Sequence, residues 1–154
     1  MTPLSDRPDL LAAERPGLLV LVLRKSPSDP TFQSCSAALT DVLTRQERIN
    51  TLILIPGFDG PVKATRSAQQ SFVELLGSQG GKNLSTCIVV LIPGAKGAMI
   101  RMTVNAALMF RKASRPIHVQ SNMAGGLTWL RALPGQLPEI VHSPALEAEL
   151  QQLT

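Results

Sequence analysis

Three continuous apolar runs, each about the length of a strand, set the framework of this chain. They are "LLVLVLR" (Leu18 to Arg24), "NTLILIPG" (Asn50 to Gly57) and "LSTCIVVLIPG" (Leu84 to Gly94). Runs without polar alternation predict strands covered on both faces, as in a parallel sheet. Between the first two, "SPSDPTFQSCSAALTDVLTRQERI" sets Phe32, Cys35, Leu39, Val42 and Leu43 at three- and four-residue steps. That spacing predicts one buried helix face, with Asp29 as N-cap and Pro30 opening the first turn. "TRSAQQSFVELLG" predicts a second helix that buries Ala64, Ala68, Phe72, Leu75 and Leu76 and closes at Gly77. After the third strand comes a long apolar helix. "RPIHVQ" (Arg115 to Gln120) then reads as a short strand opening on proline, which suits a sheet edge. "MAGGLTWLRAL" predicts a short helix, and "SPALEAELQQL" a terminal amphipathic one begun by Ser143 and Pro144. Upstream, the Arg15-Pro16-Gly17 corner is placed to close a hairpin from an edge strand at Leu10 to Glu14.

The order is hairpin, then helix and strand in alternation. It predicts an α/β fold with a mostly parallel, four- to five-stranded sheet joined by right-handed crossovers. A flexible N-terminus is expected over residues 1–9, the α/β domain over 10–134, and a linker with its amphipathic helix over 135–154. No internal repeat or low-complexity tract interrupts the 154 residues, a length that supports one sizeable core.

Composition narrows the function classes. Aromatics are 3% of the chain, with no Tyr and one Trp, which argues against base-stacking platforms. The formal charge of +4 is spread along the chain, so no nucleic-acid partner is expected. Cys35 and Cys87 fall at apolar positions and read as reduced core thiols, in keeping with the cytoplasm. No apolar run is long enough to span a bilayer, and the N-terminal residues lack a signal-peptide core.

Catalytic chemistry finds little support. His118 sits in a strand and His142 in the C-terminal tail, neither beside a nucleophile or carboxylate. There is no nucleophile elbow and no cluster with metal-ligand spacing, so neither catalysis, metal nor cofactor is expected. The Gly-rich corner "PGAKGAMIR" resembles a phosphate cradle only superficially. Two residues, not four, separate Gly94 from Gly97, and no Ser or Thr follows to hold magnesium. A tight strand-to-helix turn is the simpler reading. Parallel strands would nevertheless bring this corner beside "PGFDGPVKATRS" at one sheet edge, gathering Lys63, Arg66, Lys96 and Arg101 near two helix starts. Those four residues are candidate anion contacts.

The long helix carries the strongest signal. Ile100, Val104, Ala107 and Leu108 suit a face laid on the sheet, but Met99, Met102, Ala106, Met109 and Phe110 form a second apolar face. A helix apolar most of the way round is covered by something. Either the terminal helix around Leu146, Leu150 and Leu153 folds onto it, or a protein partner or second copy does.

The pieces "VVLIPGAKGAMIRMTVNAALMFRKASRPIHVQ" and "MAGGLTWLRAL", with the hairpin-first order, resemble the STAS-like family typified by bacterial anti-sigma-factor antagonists. The likeness runs over about residues 10 to 134. It implies helices largely on one side of the sheet and a regulatory or assembly role through protein contact. Switchable members carry Asp-Ser-Ser/Thr-Gly after the second parallel strand. Here "PGFDGPVKATRSAQQ" stands in that place, leaving Asp59, Thr65 and Ser67 as a candidate switch or phosphorylation corner. The expected function is a cytoplasmic, non-enzymatic STAS-like interaction module that binds a protein partner or itself. Binding of a small anion, nucleotide or lipid headgroup at the basic corner is the alternative.

Overall fold

The computed structural model of the chain describes residues 1–62, 65–77, 80–109 and 115–154. Six strands, β1 (Thr2–Asp6), β2 (Leu10–Arg15), β3 (Leu18–Leu23), β4 (Ile49–Ile55), β5 (Asn83–Val90) and β6 (Ile117–Gln120), lie side by side in sequence order. β1, β2 and β3 pair antiparallel, and β3 through β6 run parallel. Every residue of β3 and β4 is buried, as their unbroken apolar runs predict. The hairpin between β2 and β3 turns at Pro16–Gly17, with Arg15 opposite Leu18.

Helices α1 (Asp29–Arg45), α2 (Arg66–Gly77) and α3 (Gly94–Met109) are the crossovers joining β3 to β4, β4 to β5 and β5 to β6. The sheet advances in one direction through these units, so crossovers of one hand put all three helices on one face. That face holds Leu21, Ile53 and Ile88 from the sheet against Phe32, Leu39, Phe72 and Leu76 from the helices. On α1 the predicted stripe of Phe32, Cys35, Leu39, Val42 and Leu43 is buried. Its N-cap is Ser28, one residue before the expected Asp29, and the Ser28 N–H donates to Thr31 Oγ1 at 3.3 Å. On α2, Ala68, Phe72, Leu75 and Leu76 are buried as expected, while Ala64 lies outside the described residues.

Three expectations are corrected. Residues Thr2–Asp6, expected to be flexible, form β1, so the sheet has six strands. Pro3 is tolerated because β1 is an edge, where a missing N–H breaks no interior ladder, and the pairing shifts between Pro3 and Ser5. Residues 135–154, expected as a linker with an amphipathic helix, pack on the sheet. Short helices α5 (Pro138–Val141) and α6 (Leu146–Gln151) bury Ile140, Leu146 and Leu150 completely. Finally, helices cover both sides of the sheet. α4 (Met123–Ala132), α5 and α6 pack on the face opposite α1–α3, against Val20, Leu52 and Val89.

Two polar devices fix this second layer. Asn50 at the start of β4 donates to Gln136 Oε1 at 2.8 Å and accepts from Ser85 Oγ at 2.6 Å, tying the α4–α5 connection to the sheet. A β-carbon on Gly126 would lie 2.8 Å from a Val89 methyl, so glycine lets α4 sit directly on β5. That close approach accounts for the small residues at the head of "MAGGLTWLRAL".

Candidate functional site

Because β4 and β5 are parallel and in register, the corners after Ile55 and Val90 emerge at the same sheet edge. The Leu91 N–H donates to the Ile55 carbonyl at 2.9 Å, extending the pairing to the point where the chains diverge. α3 starts three residues later. A β-carbon on Gly97 would fall 1.7 Å from the Ile92 carbonyl oxygen, so only glycine allows the first turn to fold this tightly against the strand end. The Gly-rich corner thus has a structural duty, matching the simpler reading of the sequence.

Lys96 joins the two corners, but not as a free cation. Its Nζ donates to the carbonyls of Phe58 at 2.5 Å and Gly60 at 3.0 Å, and it lies 4.5 Å over the Phe58 ring. Two of its three protons are therefore directed at main-chain oxygens. Of the other candidate anion contacts, Arg66 is exposed at the start of α2 and Arg101 is half-buried on α3. Lys63 lies outside the described residues.

At the candidate switch corner, Asp59 is exposed. Thr65 caps α2: its hydroxyl accepts from the Ala68 N–H at 3.1 Å, and its carbonyl from the Gln69 N–H at 3.0 Å. Ser67 and Ser71 both donate hydroxyl hydrogen bonds to the Asp29 carboxylate at the head of α1. This clasp holds the starts of α1 and α2 together.

The outer face of α3 is open. Only Gly97 and Ile100 are buried on this 16-residue helix, and Val104, Ala107 and Leu108 are half-buried. Met99 is 53% exposed, Met102 73% and Met109 85%, with Ala106 exposed among them. Phe110 lies outside the described residues. The terminal helix does not cover this face, because Leu146 and Leu150 of α6 are buried on the other side of the sheet. Between Glu74 and Glu139 the chain contains no Asp or Glu, so its local charge, including Lys96 and Arg101, is entirely positive.

The histidines and cysteines have structural surroundings. Gln120 Nε2 donates to His118 Nε2 at 2.8 Å, and the His118 ring stacks on Trp129 with centroids 5.1 Å apart. His142 is exposed and ends α5. Burial pushes both thiols, Cys35 and Cys87, up to about 12. Among the described residues, no group of three or more His, Cys, Asp or Glu is arranged to hold a metal ion. Nor is any helix among them long and apolar enough to cross a membrane.

One feature escaped the sequence. An apolar cavity of about 100 Å³ lies beneath α3, walled by Phe32 of α1, Phe72 of α2, and Ile100 and Val104 of α3. Its only hint in the sequence was Phe58 and Val62, two apolar side chains in a loop otherwise rich in Gly and Pro.

The chain matches no protein-family model and no curated protein. Among solved structures it is similar to an uncharacterized protein of the DUF3478 family from Shewanella loihica PV-4, described as having a SpoIIAA-like fold. The two share 17% sequence identity with a TM-score of 0.55, over 82% of this chain and 97% of the other.

Proposed function

We propose, from the premise of a SpoIIAA-like, hence STAS-like, α/β fold, that this chain is a non-enzymatic interaction module that docks a protein partner on the outer face of α3. One observation carries the reading: Met99, Met102, Ala106 and Met109 form an apolar face that the chain's own C-terminal helices leave uncovered. Methionine side chains are flexible and polarizable, which suits a surface that adapts to another. Exposed apolar patches with a polar rim are characteristic of binding sites.

The charge pattern favours a partner over a second copy. A two-fold pairing through α3 would bring together two helices that each carry Lys96 and Arg101 and no carboxylate, with exposed Asp59 in the adjoining corner. The surface instead fits a partner that is apolar at its centre and acidic at its rim. Small-anion binding at the corner is the weaker reading, since Lys96 already serves two carbonyls.

Met102→Glu tests the proposal, because Met102 is exposed and makes little contribution to packing. The variant should fold as the wild type does, yet lose co-purification of the partner and any associated shift in size-exclusion profile. Unchanged profiles and unchanged co-purification would sink the reading.

A further inference from the structure

From the cavity beneath α3, we infer that the chain binds an unbranched hydrocarbon chain, such as a fatty acyl or alkyl tail, between α2, α3 and the sheet. This is independent of docking on the outer face. None of the exposed cavity wall is polar. Its floor is Ile53 and Ile88, which are partners in the β4–β5 register, and its upper wall is Ile55. Phe32 and Phe72, with ring centroids 5.4 Å apart, lie on the α1–α2 side, and Ile100, Val104 and Ala107 on the α3 side.

Three properties select the ligand class. Gln69 and Thr103 border the cavity but turn no polar surface to it, so a buried polar group would lose its water without a replacement. The volume of about 100 Å³ is smaller than the engineered apolar cavity of about 150 Å³ that takes benzene, so only a slender group enters fully. The cavity is also open to solvent, and its lining includes Ile53, Ile55, Phe58 and Val62. Two strand positions span about 7 Å, giving the site depth along one axis. A chain end fits such a slot while the rest of the molecule, head group included, stays outside. Dry apolar cavities of this kind accept hydrocarbon readily.

The tail would enter beside α3. Beyond Ile100, the side chains that seat α3 on the core, Val104 and Leu108 among them, are half-buried and not fully enclosed. Phe58 at the mouth is pinned under Lys96, which gives the opening one fixed lip.

The test titrates the full chain with 1-decanol and, separately, with decanoate, following isoleucine, valine and methionine methyl resonances. The pair shares the tail and differs in head-group charge. Saturable shifts at Ile53, Ile88, Ile100 and Val104 with at least one of them are expected, along with a rise of a few degrees in melting temperature at saturation. A cavity-filling Ala107→Phe should abolish the response, while Ala106→Phe on the exposed side of the same helix should keep it. If Ala107→Phe does not fold, the wild-type methyl map alone decides. Two results overturn the inference: no saturable binding of either compound below its solubility limit, or shifts confined to Met99, Met102 and Met109 with the cavity methyls silent.

Discussion

A β-carbon at position 97 would sit 1.7 Å from the Ile92 carbonyl oxygen, inside any van der Waals limit, and in a helix that β-carbon tilts toward the N-terminus where the carbonyl lies. Gly97→Ala should therefore displace the start of α3 and destabilise the chain by about 2 kcal/mol or more in denaturant unfolding. The same residue scale holds the pH response. Burial acts to raise the Asp9 carboxyl, but hydrogen bonds from Thr31 and the backbone, with Arg7 nearby, outweigh it and hold the group below its ordinary 3.8. A depressed folded-state pKa means the stabilisation is complete above 3.8 and is lost as pH falls through the lower folded value. Asp9→Asn should thus lose stability at neutral pH and lose little at about pH 2, as measured by urea midpoints. Cys35 and Cys87, buried with thiols near 12, should resist a thiol-specific disulfide reagent until the protein is unfolded. Helical spacing marked Cys35 as a core residue, and the unbroken apolar run of β5 marked Cys87. The contact between position 97 and Ile92 was not legible, since it depends on where the strand ends.

At the scale of elements, α3 and α6 behave in opposite ways although both read as apolar helices. α6 has only six residues, yet Leu146 and Leu150 are fully buried, so truncating Leu146 to Ala should cost about 2–5 kcal/mol. Met102→Glu on the longer α3 should change stability by no more than about 0.5 kcal/mol. β3, β4 and β5 were legible because strands buried on both faces leave unbroken apolar runs. β1 was not, because an edge strand carries exposed Thr2, Pro3 and Asp6 and needs no such run. The side chosen by α4–α6 was equally hidden. It is set by the turn out of the edge strand β6 and by the Asn50–Gln136 contact, which spans 86 residues of chain.

Across the whole molecule, the two helical layers divide the labour. The layer formed by α4, α5 and α6 closes one side of the sheet with fully buried leucines and isoleucine. The other layer ends in α3, which has a void on one side and exposed methionines on another. Both proposed surfaces lie on the crossover layer, on either side of α3. Helix α3 itself carries Lys96 and Arg101 and no carboxylate, and exposed Asp59 lies in the adjoining corner. The measurement that bears most directly on the docking claim is site-specific photo-crosslinking in the native cell, with the reactive group at position 102 and, as a control, at exposed Gln151. One adduct of discrete mass is expected from position 102, competed away by excess unmodified chain and absent from position 151. No adduct at position 102, or the same adducts from both positions, would contradict that claim.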